Sequence, residues 1–378
     1  MLNTTKIIAI SAVLILTVSA IVVYAVNTKN SPEDPEAEES VQYPAYRVKD
    51  LTVFDNFQKT KDGRPEGVRS YVYYNEPERE TMNNHIQGYG HFYSPGIEWN
   101  IFTRSTDEDT GYIYFISSPP NNYKFEIKSP QGRGSHPGGF QVYGHYMIVG
   151  VESETNSSVF LYDLIPLASG EKPGDPVLLL EGSRKNLGVG ASAMTFMGEK
   201  GDKFVFAVMT DYEVKIYTYN DVFIYDKIDK DKFVQVPATT NSKYMSQFDG
   251  RSYQGIQLFC DVQGSMYMLG MFSNTILGLP KQDYFDIYKL YDGPTDKWFD
   301  TPDRKVNKRE VKLIHREGEL TPHAGVHFRY GSSMDILSED EVQINACSRN
   351  FYDEKFVTVN KLVKAKPGEE ETGGHIDR

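Results

Sequence analysis

The sequence predicts an all-β protein arranged as a β-propeller, and three observations carry that reading. Short runs rich in Val, Ile, Phe and Tyr, such as "GYIYFISS" (111–118), "YMIVGVES" (146–153), "KFVFAVMT" (203–210) and "SMYMLGMF" (265–272), are broken by Gly, Asp, Asn and Pro. The chain holds 26 tyrosines and 21 phenylalanines, residues that suit pleated, half-buried surfaces, and no helical periodicity is found beyond residue 45. A four-residue pattern also recurs five times.

The copies are Pro95-Gly96-Ile97-Glu98, Gly138-Gly139-Phe140-Gln141, Ser192-Ala193-Met194-Thr195, Gln254-Gly255-Ile256-Gln257 and Ala324-Gly325-Val326-His327. Each reads as a mostly small residue, a Gly or Ala, an apolar residue and a polar one. "SHPGGFQVYG" (135–144), which looks at first like a catalytic loop, is therefore the second copy of a structural repeat. The Gly/Ala positions lie 43, 54, 62 and 70 residues apart. A propeller blade of four strands needs about 40 to 50 residues, so each copy marks one blade with lengthening loops.

Most copies are followed by a second apolar strand and by a third with a central tyrosine, as in "VFLYDLIP" (159–166), "VKIYTYND" (214–221) and "FDIYKLYD" (285–292). The fifth has three strands before the tail begins. Its fourth is expected from the N-terminal side, "YRVKDLTVF" (46–54) or "RSYVYYN" (69–75), because an open edge strand would pair with other chains. Five blades are expected, with room for a sixth, shorter one at Glu66-Gly67-Val68-Arg69. Over roughly residues 46–365 the pattern resembles the β-propeller repeat families of secreted proteins, without the Trp-Asp dipeptide of the WD-repeat class. The resemblance implies a fold and carries no activity with it.

The flanks have other compositions. Ile7–Val26 runs for twenty residues without a charge after Lys6, about 30 Å as a helix, enough to cross a bilayer core. Residues 1–26 are thus expected to be an uncleaved membrane anchor, or a signal segment cut after Ala25. Residues 27–45 include the acidic "SPEDPEAEES" and read as a solvated tether, and 367–378 as an acidic tail around the propeller at 46–366. The body is expected outside the cytoplasm, membrane-tethered or secreted.

Charge and cysteines narrow the partners. The net charge is −12, of which the body 41–366 carries −6 without a basic cluster, so nucleic acid is excluded as a partner. Small molecules, glycans and proteins remain. Two cysteines, Cys260 and Cys347, exclude a disulfide framework and read as buried thiols.

If the five copies are the inner strands, Glu98, Gln141, Thr195, Gln257 and His327 form a polar collar around the axis, a ligand-binding candidate. His91, His136 and His323 each precede a copy and are candidate ligands for a divalent metal at one mouth of the channel. Asp261 is a candidate second carboxylate beside Glu98. "DEDTG" (107–111) begins like a calcium loop, but its twelfth position is Ser118 where a bidentate glutamate is needed. No G-x-S-x-G elbow, P-loop or C-x-x-C occurs. The expected function is a ligand-binding or protein-interaction module. The alternative is a propeller hydrolase or lactonase, possibly metal-dependent, with its site at the channel mouth. An enzyme would require two carboxylates or three imidazoles within about 5 to 8 Å of each other.

Overall fold

The computed structural model describes residues 46–55, 67–73, 85–106, 110–118, 123–130, 134, 136–183, 189–197, 203–214, 217–228, 233–236, 242–245, 253–276, 279–293, 309–310, 312–320, 325–349 and 356–363. The expected anchor, tether and tail lie outside these residues, as do His323 and most of "DEDTG".

Pairing among the described residues gives three four-stranded sheets and one of nine strands; the nine-stranded sheet divides into two four-stranded antiparallel blades joined by the single parallel pair Ala191–Gly139, with a short strand added at one edge, so five four-stranded blades result. β1 (Gly67–Tyr73) comes first, and β2 (Ile86–Ser94), β3 (Ile97–Arg104), β4 (Tyr112–Ser117) and β5 (Lys124–Lys128) form blade 1. β6 (His136–Tyr143), β7 (Tyr146–Glu152), β8 (Asn156–Asp163) and β9 (Val177–Ser183) form blade 2, with the one-turn helix α1 (Ile165–Ala168) before β9. β10 (Ala191–Met197), β11 (Lys203–Val214), β12 (Tyr217–Ile228) and β13 (Ser242–Met245) form blade 3. Blade 4 holds β14 (Gly255–Cys260), β15 (Met266–Ile276) and β16 (Leu279–Tyr291); β17 (Arg309–Glu310) then crosses to pair with β13, and β18 (Lys312–Leu320) completes the blade. Blade 5 comprises β19 (Val326–Ser338), β20 (Glu341–Ser348) and β21 (Phe356–Val363), and β1 is its outer strand, with Gly67 opposite Leu362 and Tyr73 opposite Phe356. The expected closure by an N-terminal strand is therefore made at 67–73. That uses up the segment that left room for a sixth blade.

Each blade packs on the next through its own apolar core. β8 shows why the strand runs are almost continuously apolar: Val159 and Leu161 enter the core shared with blade 3, while Phe160 and Tyr162 enter the one shared with blade 1. Both faces of a middle strand are buried. Five such cores occupy the five junctions, the last joining Val357 and Val359 of blade 5 to Ile86 and Phe102 of blade 1. Cys260 and Cys347 sit in two of these cores as free thiols, and burial pushes the Cys260 thiol up to about 11.

The inner strands β2, β6, β10, β14 and β19 meet around the axis, and small residues set how closely they approach. A β-carbon at Gly139 would stand 2.3 Å from the carbonyl oxygen of Gln254, and one at Gly331 would stand 2.9 Å from the backbone of Gly88 and Tyr89. Gly139 belongs to blade 2 and Gln254 to blade 4, so two blades that are not neighbours touch across the axis. Second, third and fourth copies of the repeat do lie at inner strands. The first does not: Gly96, with φ of +80°, is the turn between β2 and β3. The fifth is offset, because a bulge separates the pairs His327–Cys347 and Ser332–Ala346 in β19.

Candidate functional site

The layer of glycine contacts divides the expected site residues. His136 opens β6 and His327 lies near the start of β19, both before that layer in the chain direction. His91 lies three residues beyond Gly88 in β2, and Glu98 follows the next turn, opposite Tyr93. The described histidines therefore do not gather at one mouth. The reason is that blade 1 begins with β2, which contains His91 instead of following it.

Nor does the collar form. Gln141 and Gln257 lie on inner strands as expected, but they are 2% and 0% exposed and bonded to backbone. Gln141 Nε2 donates to the Leu258 carbonyl at 2.9 Å, and Gln257 Nε2 donates to that of Phe140 at 3.1 Å. These side chains fill the axis. Thr195 is buried against Cys260 Sγ at 3.8 Å, and Glu98 is on the second strand of its blade. Asp261 closes a turn, accepting from the backbone amides of Gln263 and Ser265 and from the Tyr267 hydroxyl.

What the fold does bring together lies at the mouth where the inner strands end, between blades 5 and 1. Period-2 alternation puts Tyr89, His91 and Tyr93 of β2 on the face toward blade 5. Ser333 and Asp335 of β19, with Gln343 and Asn345 of β20, are bonded to one another on the opposing face. His91 Nδ1 lies 2.8 Å from Asp335 Oδ2, and the imidazole is fully buried. On the other side of the ring, Nε2 contacts the Tyr89 hydroxyl and stands 3.5 Å from Glu98 Oε1. Two carboxylates thus flank a single imidazole.

Each group has a holder. Asp335 Oδ2 also accepts from Asn345 Nδ2 at 2.8 Å, Gln343 Nε2 at 3.2 Å and the Tyr93 hydroxyl at 3.4 Å. Lys361 of β21 donates to Glu98 Oε1 at 2.8 Å. Tyr89 donates to Asn100 Oδ1 at 2.8 Å, and burial, followed by the Asp335 charge, raises its hydroxyl far above the ordinary phenol value. The phenol stays neutral and serves as a spacer. Glu98 is the most accessible carboxylate of the set, its side chain 31% exposed against 10% for Asp335. Beside them opens a cleft of about 140 Å³, lined by Tyr46, His91, Tyr93, Tyr143, Met334 and Asp335.

No family model matches this chain, and no curated protein matches it. Solved structures similar to it include a GH43 endo-arabinanase from Bacillus licheniformis, at 11% identity and a TM-score of 0.44 over 75% of this chain and 96% of that one. A GH43 β-xylosidase/α-arabinofuranosidase from a compost microbial metagenome, in complex with xylotriose, is 9% identical with a TM-score of 0.42 over 81% and 100%. A protein of unknown function from Dyadobacter fermentans is 9% identical with a TM-score of 0.42 over 79% and 99%.

The opposite end of the inner strands carries a separate cluster. Asp283 of β16 accepts from Ser273 Oγ at 2.5 Å, from the Phe328 amide at 3.2 Å and from His327 Nδ1 at 3.3 Å, and it pins the bulge of β19. Its carboxyl is buried, which raises its pKa above the usual aspartate range despite those three bonds. His136 faces Glu152 across the β6–β7 pair.

Metal ligands must converge on one point. Asp335 and Glu98 instead address opposite nitrogens of His91, and no group of three or more metal-ligating side chains occurs among the described residues. Sequence reasoning missed Asp335, Asn345 and Lys361. A signal was present, because "SSMDI" and "VQINA" both place polar residues two apart in apolar strands.

Proposed function

We propose that this propeller is a hydrolase whose substrate enters the mouth cleft at Tyr93, with Glu98, the cross-strand partner of Tyr93 beside the cleft, as the general base. The observation that carries the reading is the pair of carboxylates, Glu98 and Asp335, on the two nitrogens of one buried imidazole. Asp335 is committed to four donors and acts by fixing His91. His91 in turn fixes Glu98, which takes a proton from water as that water attacks an acyl carbon; when the tetrahedral intermediate collapses the acyl C–O bond breaks and Glu98 returns the proton to the departing alkoxide. Lys361 stands next to the carboxylate, where it can stabilise the oxyanion that forms. Attack on an ester or lactone carbonyl fits this set better than glycosidic cleavage, which needs a second carboxyl free to give up a proton. The reading includes a body outside the cytoplasm, tethered by Ile7–Val26 or released after its removal, supported by that uncharged run alone.

A second reading, a binding module of the mouth cleft without turnover, is favoured by the pairing already made at each polar group. One experiment separates them. The protein is assayed on γ- and δ-lactones and p-nitrophenyl esters, with p-nitrophenyl glycosides and xylo- and arabino-oligosaccharides in parallel. Turnover of a lactone or ester that falls about 100-fold or more in a folded Glu98→Gln variant supports the hydrolase. Binding of one of these compounds without turnover, lost in Tyr93→Ala, establishes the binding module. Turnover unchanged in Glu98→Gln overturns the assignment of the base.

A further inference from the structure

We propose that the groove between the outer strand of blade 1 and the loop 172–176 of blade 2 is a second binding site, for a neutral, hydroxyl-rich ligand of sugar size. The cavity measures about 560 Å³, four times the mouth cleft, and lies within the roughly 300–1,000 Å³ usual for small-molecule sites. It is far from Glu98 in the fold, on the outer strands and not at the axis, and it does not depend on the reading of the mouth.

Tyr162 lies at the floor of the groove. Its side chain is fully buried, yet its hydroxyl has no hydrogen-bond partner. A buried phenol left in that state costs about 1–3 kcal/mol, which a ligand able to donate or accept would recover. Asp175 lines the same groove, and burial, followed by the Asp175 charge, raises the Tyr162 hydroxyl above the ordinary phenol value.

The loop wall of the groove is built in advance. Pro173 and Pro176 bracket the loop and fix its backbone angles. Upstream, the Leu167 carbonyl of α1 accepts the Trp99 indole N–H at 3.0 Å, tying the segment to blade 1. The charges around the groove select the ligand. Glu126 and Asp175 are balanced by Lys128 and Lys172, so neither an anion nor a cation is favoured. A peptide added to the free edge of β5 is disfavoured, because Lys124, Glu126 and Lys128 stand exposed at alternate positions along it, the usual guard of an edge strand. A compound with several hydroxyls meets both conditions, an uncharged body and a group that can give or take a hydrogen bond.

The test uses the intact protein and titrates cellobiose, maltose and xylobiose, with glucuronate and glucosamine as charged controls, by saturation-transfer NMR and calorimetry. At least one neutral disaccharide is expected to bind, with affinity falling about tenfold in Tyr162→Phe and unchanged in Glu98→Gln. Gly174→Phe, at a position with nothing within 4 Å of a new β-carbon, should fill the groove and abolish binding without unfolding the protein. Tyr162→Phe should leave Tm unchanged or raised, since it removes an unpaired buried hydroxyl. Absence of binding by all three disaccharides at millimolar concentration, preference for a charged control, binding indifferent to Tyr162→Phe, or a lowered Tm in that variant would each overturn the proposal.

Discussion

Gln141 on the inner strand of blade 2 grips Leu258 of blade 4 with both ends of its amide. Nε2 donates to the Leu258 carbonyl and Oε1 accepts from the Leu258 amide, each at 2.9 Å, and Oε1 also accepts from the Met194 amide of blade 3 at 2.9 Å. One side chain thus ties three inner strands together where a propeller would otherwise have an open channel.

Gln141→Ala should therefore be costly. It leaves two amides and one carbonyl buried without partners, at about 1–3 kcal/mol each, so a loss of roughly 3 kcal/mol or more is expected in urea unfolding. A loss below about 1 kcal/mol would mean that water replaces the amide, and that the axis is not the sealed layer described.

Two glycines separate close approach from backbone conformation. In Gly139→Ala the new β-carbon would lie 2.3 Å from the Gln254 carbonyl oxygen, a backbone atom that cannot move aside alone. Blades 2 and 4 would have to part, and the variant is expected to be insoluble or to unfold at a sharply lower temperature. Gly96→Ala meets nothing within 4 Å and pays only for φ of +80°, about 1–2 kcal/mol. Equal thermal shifts in the two variants would contradict the close-packed axis.

The contrast between these glycines also explains what the sequence could disclose. Nearly continuous apolar runs and a recurrent small residue are imposed by blades that are buried on both faces and nearly touch at the axis, so blade number and closure were readable. A turn glycine and a contact glycine are the same letter, however, and Pro95-Gly96 fitted the repeat while the true inner strand of blade 1, with Gly88 and Gly90, was passed over. The bulge after His327 hid the fifth inner strand in a similar way. Asp335 and His91 are 244 residues apart in the chain, and only the closure of the ring makes them neighbours. No local pattern records that pairing, so half of the candidate site was illegible.

Asp283 gives the fold a pH dependence with a defined sign. Burial raises its carboxyl above the usual aspartate value, so the folded state holds that proton more tightly than the unfolded chain does. Its contribution is full at pH below the unfolded value and is lost as pH rises through the higher folded value. Asp283→Asn does not titrate, so its Tm relative to the parent should improve as pH rises above the ordinary aspartate value of about 4, and level off once the folded carboxyl is ionised. Other carboxylates titrate over the same range, but they are common to both proteins and cancel in the difference. Among the described residues Asp283 bonds His327, Ser273 and the Phe328 amide, and of these only His327 carries an ionisable side chain, so the comparison is repeated in a His327→Gln background. Differential scanning calorimetry at half-unit pH steps supplies the measurement. Parallel Tm curves for parent and variant, in both backgrounds, would show that the carboxyl is not desolvated by the bulge of β19. A difference that shrinks as pH rises would reverse the sign, making Asp283 a carboxylate that the fold stabilises in its charged form.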